Sequence, residues 1–255
     1  MRRLWHVLAV VTLAACSEKK ETISINGVYT MRSQAFKGAG IDTTATYNKL
    51  LKIYTGSFMM FAAVGPANAS GSFGVGTYTI NGNTLFENTI YSASDTMQRD
   101  VAFADTAQLI KGPETLTLAG NVIIDKGTVQ VTEIYEPVTA GNPSPIDGIW
   151  KQASAYTIKG RDTIHWNDVQ YKAFYKGSFA YGEYIAGFAK STYVSYGTFT
   201  LQAETLTETI REANTPSTVS KTVTLKVVMN DADTFIQTIA TPDGQEVTVY
   251  KRMAK

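Results

Sequence analysis

Two glutamates hold the positions in this sequence from which a side chain could most readily do chemistry. Glu208 lies between Leu206 and Ile210, and residues two apart on a strand share one face, so its carboxylate belongs to the apolar side. Glu87 repeats the arrangement beside Leu85. Such a carboxylate can accept a hydrogen bond from a ligand in a cavity, or an internal lysine, arginine or tyrosine can satisfy it. The sequence leaves both interpretations open.

Motifs of known catalytic centres are missing from the sequence. It contains no Ser-His-Asp order, no Gly-x-Ser-x-Gly, no phosphate-binding loop and no His-Glu-x-x-His. His165, beside Trp166 and Asp168, has no cysteine or carboxylate partners at zinc-ligand spacing, which favours an ordinary surface residue. We therefore predict that the protein is not an enzyme and has no catalytic residue, metal site or cofactor.

An internal repeat organises the chain around these glutamates. Tyr54-Thr-Gly-Ser-Phe58 recurs 121 positions later as Tyr175-Lys-Gly-Ser-Phe179, and both glutamates keep the same offset. From residue 25 to residue 87, 14 of 63 positions are identical at that offset without a gap. Two copies of one fold are the simplest explanation.

Each copy reads as a series of short strands. Alternation of apolar and polar residues separated by turn residues recurs about eight times in roughly 110 residues, with no long amphipathic helix. Asn81-Gly82 predicts a type I′ hairpin turn, whereas residues 38–47 predict a loop or a short lid helix. The pattern predicts an all-β protein of two tandem, small antiparallel barrels, which close their own sheet edges.

The domain limits follow from composition. Residues 139–145 form a Pro/Gly-rich linker, which separates barrel 1 (residues 24–138) from barrel 2 (residues 146–255). Because the linker has no apolar period, we expect few contacts between the barrels and separate folding of the two halves.

The first residues predict an exported, lipid-anchored protein. Residues 1–15 have a basic start and a short apolar core, and Leu13-Ala-Ala-Cys16 ends that core with small residues before a thiol. The apolar run is shorter than the ~20 residues that a spanning helix needs. This segment resembles the lipobox of bacterial lipoproteins, which implies cleavage before Cys16 and a lipid on its sulfur. Residues 16–23 then form a polar tether to the membrane.

Charge and cysteine count limit the partners. Without Arg2 and Arg3, 21 of the 23 basic residues remain against 22 acidic ones, which disfavours a nucleic-acid partner. An acylated Cys16 leaves no thiol for a disulfide or a metal, because it is the only cysteine.

Several segments together resemble the lipocalin-like, or calycin-like, domains of bacterial envelope lipoproteins. They are Gly148-Ile-Trp150, Lys176-Gly-Ser-Phe179, Gly197-Thr-Phe199 with Leu206-Thr-Glu208, and Val249-Tyr-Lys-Arg252. The resemblance covers nearly all of the mature chain, twice, and implies an outer-membrane, envelope location. It also implies that Trp150 plugs the base of barrel 2 under the guanidinium of Arg252. The first copy departs from it, with Tyr29 at the tryptophan position and Pro137 opposite Arg252.

The second copy is also rich in tyrosine and phenylalanine, which either line a cup for an amphipathic ligand or simply fill a small barrel. Candidate ligand-binding residues are Glu208, Tyr175, Phe179, Tyr196 and Phe199 in the second copy, and Glu87, Tyr54 and Phe58 in the first.

Two functions from different classes remain. The first is a lipid-anchored envelope protein that holds a small amphipathic molecule in one or both barrels. The second is a non-enzymatic structural module whose filled barrels present loops to another envelope protein. An interior of ~300 Å³ or more would favour binding over scaffolding.

Overall fold

The computed structural model describes residues 23–46, 49–65, 71–94, 97–99, 103–112, 114–187 and 192–254. Within those residues the chain forms nineteen strands and one short 3-10 helix, at Pro216–Thr218. The all-β prediction is confirmed. The predicted signal peptide, Cys16 and nearly all of the tether lie outside the described residues.

The first copy forms ten strands. They are β1 (Gly27–Gly38), β2 (Ile41–Ala45), β3 (Leu50–Thr55), β4 (Phe58–Val64), β5 (Gly71–Asn81), β6 (Thr84–Ser94), β7 (Met97–Arg99), β8 (Phe103–Lys111), β9 (Leu116–Ile124) and β10 (Gly127–Pro137). Eight of them follow one another around a barrel in the order β1, β3, β4, β5, β6, β8, β9, β10. β10 pairs back with β1 and closes it.

The second copy forms nine strands. They are β11 (Gly148–Lys159), β12 (Asp162–His165), β13 (Asp168–Tyr175), β14 (Ser178–Ile185), β15 (Thr192–Gln202), β16 (Thr205–Ala213), β17 (Thr222–Asp231), β18 (Thr234–Thr241) and β19 (Gly244–Arg252). β12 pairs with the second half of β11, and the other eight strands close a barrel through the pairing of β19 with β11. The protein therefore contains two tandem, closed, eight-stranded antiparallel barrels.

Two local predictions differ from the structure. Residues 38–47 contain the strand β2, which continues the sheet beside β1, so the loop or lid helix expected there is wrong. The hairpin at Asn81 is present, but its loop residues are Gly82 and Asn83, since Asn81 pairs with Thr84. Only Gly82 has positive φ, at 59°, which is the pattern of a type II′ turn and not of type I′.

The two barrels pack against each other through the outer faces of β3, β4 and β5 in the first and β13, β14 and β15 in the second. The ring of Phe73 lies directly over Gly182, where a Cβ atom would come within 2.3 Å of it. The rings of Tyr91 and Tyr171 lie 5.2 Å apart. One continuous apolar core thus joins the copies, and its buried members are Val28, Leu51, Ile53, Met60, Ala62, Val64, Phe73, Val75, Tyr91, Ala93, Ile149, Tyr171, Ala173, Ala180, Val194 and Tyr196.

This packing contradicts the expectation that few contacts cross between the copies. Leu51 and Ile53 face the neighbouring barrel, while Lys52 and Tyr54 face the interior of their own, and all four are buried. A strand buried on both faces has no polar face to show in its sequence. The linker is held as well, because the backbone N–H of Gly141 donates to the carbonyl of Lys176 at 2.7 Å.

Both barrels open toward the same side. The base of each barrel is the end at Tyr29 or Trp150, and the mouth is the opposite end. Gly71 at the mouth end of β5 lies against Val194 at the mouth end of β15. Also at the mouths, the Nζ of Lys49 lies 3.4 Å from a carboxylate oxygen of Glu212. The barrels therefore lie side by side and parallel.

Candidate functional site

A buried ion pair forms the floor of the space inside the second barrel. The Nζ of Lys172 on β13 donates to Oε1 of Glu208 on β16 at 2.7 Å, and to Oε1 of Gln237 on β18 at 2.9 Å. The side chains of Lys172 and Glu208 are only 4% and 8% exposed. Glu208 points inward because Leu206 and Ile210 on the same face are buried in the barrel core. The predicted inward carboxylate is confirmed, and its partner is an internal lysine.

A cluster of hydrogen-bonded polar side chains lines the wall above this floor. Nε2 of Gln170 donates to Asp168 and, at 3.1 Å, to Oε1 of Glu183, while Oε1 of Gln170 accepts from the hydroxyl of Tyr250 at 2.6 Å. Nε2 of Gln152 donates to the other oxygen of Asp168 at 2.7 Å. Burial, and then a hydrogen bond with Asp168, raises the pKa of Glu183 to about 7. Glu183 therefore holds its proton up to about neutral pH.

The floor and the wall enclose an open cavity of about 340 Å³, which we call the second cup. Above the floor, β13, β14 and β19 supply mainly polar side chains, and β16, β17 and β18 supply the apolar ones. The apolar side chains are Ile210, Val223, Leu225 and Ile239. A further space of about 220 Å³ adjoins it across Gln170 and Glu183 and ends at the half-exposed ring of Trp166. The second cup is therefore amphipathic across its width.

The first barrel repeats the buried pair. Nζ of Lys52 on β3 lies 2.8 Å from Oε2 of Glu87 on β6, and the hydroxyl of Tyr54 donates to Oε1 of Glu87 at 2.6 Å. Burial alone would lower the pKa of Lys52, but the carboxylates of Glu87, Glu133 and Asp105 together raise it. The lysine therefore stays charged inside the barrel.

Above this pair lies an open cavity of about 350 Å³, the first cup. Glu133 accepts from the hydroxyl of Tyr135 at 2.9 Å and from Nε2 of Gln34 at 2.8 Å. Burial, and then the charge of Glu87, raises the pKa of Asp105. Both barrels thus hold an open cavity over a lysine–glutamate floor, with further carboxylates on the wall.

Five of the eight predicted ligand-binding residues lie inside the barrels. Glu208, Phe179 and Phe199 belong to the interior of the second, and Glu87 and Tyr54 to the interior of the first. Of these, only the two glutamates line a cup, because the aromatic side chains pack in the core at the base end.

The expected position inside a barrel is wrong for Tyr175, Tyr196 and Phe58. All three point out of their barrels and pack in the apolar core between the copies. Part of the aromatic richness of this region therefore serves the packing of the barrels against each other.

A one-residue shift between the copies explains the errors at Tyr175 and Phe58. In the first copy Thr55 pairs with Phe58, whereas in the second Tyr175 pairs with Ser178. The turns differ: φ is positive at Gly56 alone in the first, but at both Lys176 and Gly177 in the second. A shift by one residue moves a side chain to the other face of a strand. The matching sequence segments of the repeat therefore do not occupy equivalent positions in the two barrels.

The base plug of the second barrel is confirmed. Trp150 is fully buried, and the guanidinium carbon of Arg252 lies 4.1 Å from the centre of its ring. The indole N–H donates to the carbonyl of Ile146 at 2.8 Å. The guanidinium in turn donates to the carbonyls of Asp147 and Pro145, which ties the end of β19 to the start of β11.

Sequence reasoning missed Lys172, Lys52 and Glu183. The two lysines occupy equivalent places, since Trp150 pairs with Lys172 and Tyr29 pairs with Lys52. A signal was present, because each lysine interrupts an apolar run that carries inward residues two positions away. A lone lysine in a strand more often faces solvent, which concealed it.

Among the described residues, no group of three His, Cys, Asp or Glu side chains could hold a metal ion. His165 is exposed and packs beside the ring of Tyr156, with 5.6 Å between the ring centres. No helix in the described part of the chain has the length and apolar character to cross a membrane.

A comparison with models of known protein families finds no match, and a comparison with curated protein sequences finds no significant match. The chain is therefore described by its architecture, a pair of closed eight-stranded barrels with an open cavity in each.

Proposed function

We propose that the protein is a lipid-anchored binding protein of the bacterial cell envelope, in which the barrels hold small amphipathic molecules. The observation that carries the proposal is the second cup, an open cavity of about 340 Å³ with one polar and one apolar half. This volume lies within the ~300–1,000 Å³ that ligand pockets typically have. A barrel that served only as a scaffold would gain stability by filling that space.

Two sequence features support the rest of the proposal. The contact of Arg252 with Trp150, after the Gly148-Ile-Trp150 start of β11, supports a lipocalin-like relationship. The segment that ends at Cys16 supports export and lipid attachment, and an outer-membrane location. Two acyl chains, at about 0.8 kcal/mol per buried methylene, would hold the domain on a membrane without a spanning helix.

Filling the second cup tests the binding function. Val223 on β17 lines the cup, whereas Thr224, the next residue on the strand, is exposed on the outer surface. Val223→Trp should therefore abolish binding in this barrel, and Thr224→Trp should leave it unchanged. The measurement is a calorimetric titration with sugars, phenols, fatty acids and alkylamines. If no class of compound binds the native protein, the proposal fails. The non-enzymatic structural module that presents loops to another envelope protein then becomes the better description.

A further inference from the structure

The second cup carries more negative than positive charge. Its one ammonium group, on Lys172, is already paired with Glu208. Asp168 and Glu183 on the adjoining wall have only hydrogen bonds, and within the described part of the chain no lysine or arginine nitrogen lies within 4 Å of either carboxylate. Glu246 lies at the border of the same two spaces. A cavity whose carboxylates have no cationic partner has a place for a positive charge.

Amide groups and a tyrosine hold these carboxylates in a fixed position. Gln152 and Gln170 each donate to Asp168, and Gln170 is itself fixed by the hydroxyl of Tyr250. The carboxylates therefore do not need a large rearrangement to receive a ligand, which limits the cost of binding.

The opposite half of the cup suits a hydrocarbon. Ile210, Val223, Leu225 and Ile239 lie on neighbouring strands and face the polar wall. The ring of Trp166, half-exposed at the end of the adjoining space, gives an aromatic face near the carboxylates. Aromatic faces attract ammonium groups as well as apolar ones.

We propose that the second cup binds an amphipathic amine, whose ammonium group lies beside Glu183, at the border with the adjoining space that Asp168 lines, and whose hydrocarbon part lies along the wall of Ile210 and Leu225. The inference rests on the binding function proposed above and narrows it to one class of ligand. An anionic amphiphile such as a fatty acid would meet carboxylates that it repels, and a neutral alcohol would gain only hydrogen bonds.

A matched series of probes tests the charge requirement. Octylamine, octanol and octanoate have the same chain length and differ in the charge of the head group. Isothermal titration of the whole mature protein at pH 8 should give binding by octylamine at least tenfold tighter than by octanol, and none by octanoate. Octanol or octanoate binding as tightly as octylamine would overturn the inference while leaving the binding function intact. Failure of every class in the wider library would instead overturn both.

A pH profile adds a second readout. The titratable groups that face Glu183 are Asp168 on β13, Tyr181 on its own strand, Tyr193 on β15, and Glu246 and Tyr250 on β19. The paired Lys172 and Glu208 line the same cup. Since the ammonium must displace the proton of Glu183, whose pKa is about 7, octylamine affinity should rise about tenfold from pH 6 to pH 8. A flat profile would contradict the place assigned to the ammonium group.

Two variants locate the site. Glu183→Gln keeps the shape of the side chain and removes its charge, so it should weaken octylamine binding at pH 8 at least tenfold and flatten the pH profile. Glu204→Gln is the control, because Glu204 is exposed at the β15–β16 turn and pairs with Lys226 outside the cup. Equal affinity in Glu183→Gln and in the native protein would place the ammonium elsewhere and refute the proposal.

Discussion

The two barrels have the same pair of residue types at the cavity floor but different residues at the base. Lys52 with Glu87 and Lys172 with Glu208 occupy the same positions in the two sheets. The bases differ, because Tyr29, Tyr54 and Tyr78 contact one another in the first, whereas Trp150, Phe174 and Phe199 replace them in the second. The buried ion pair is thus the common element of the two copies, and the closure of the barrel varies around it.

The difference between the bases predicts the largest effect on stability. Trp150→Ala should lower the free energy of unfolding by about 3 to 5 kcal/mol, because it leaves a cavity under Arg252 and Phe235. Arg252→Ala should cost only about 1 to 2 kcal/mol, since the guanidinium is partly exposed. Urea titration of both variants measures the two changes. Equal losses would mean that the guanidinium holds the base together as much as the ring does.

Neutralising the two floor carboxylates sharpens the comparison. Glu208→Gln should cost about 3 kcal/mol, because it leaves Lys172 charged and buried with only amide partners. Glu87→Gln should cost less, about 1 to 2 kcal/mol, since Glu133 and Asp105 still stabilise the charge of Lys52. Chemical denaturation of each variant gives the numbers. A larger loss at Glu87 would reverse the proposed order of the two floors.

The wall of the second cup predicts a smaller, pH-dependent effect. The pKa of Glu183 is raised to about 7 in the folded protein, above its ordinary value of 4.5, so the folded state binds more protons than the unfolded state between those pH values. Stability from this group is present below about pH 4.5 and is lost as pH rises through 7. The loss amounts to at most about 3 kcal/mol.

Comparing Glu183→Gln with the native protein isolates this contribution. The variant should lose less stability between pH 5 and pH 8, and at pH 8 it should be the more stable of the two. Parallel curves for the two proteins across that range would show that Glu183 titrates normally.

Much of the architecture could be predicted from the sequence, because it depends on patterns within single strands. The inward position of Glu208 followed from Leu206 and Ile210, because alternation along one strand is enough to place it. The contact of Trp150 with Arg252 was instead implied by the resemblance to lipocalin-like domains.

The errors come from features that alternation along one strand cannot reveal. Tyr175 changed face because the chain from Gly148 to its partner Phe174 is one residue shorter than the chain from Gly27 to its partner Tyr54. Tyr196 and Leu51 face a neighbouring barrel. The sequence does not show which surface packs against an apolar residue on the outside of a barrel. Lys172 and Glu208 are 36 residues apart in the sequence. The pattern around either residue gives no information about the other, so their pairing could not be predicted.

Synthesis of the chain proceeds from the first barrel to the second. Residue 81 ends β5 and residue 202 ends β15, so about 120 residues are added between completion of the first face and completion of the second. At about 5 to 20 residues per second, the outer side chains of Leu51, Ile53 and Met60 are without their partners for roughly 6 to 24 seconds. During that interval the nascent first barrel exposes an apolar sheet face, which is the kind of surface that holding chaperones bind.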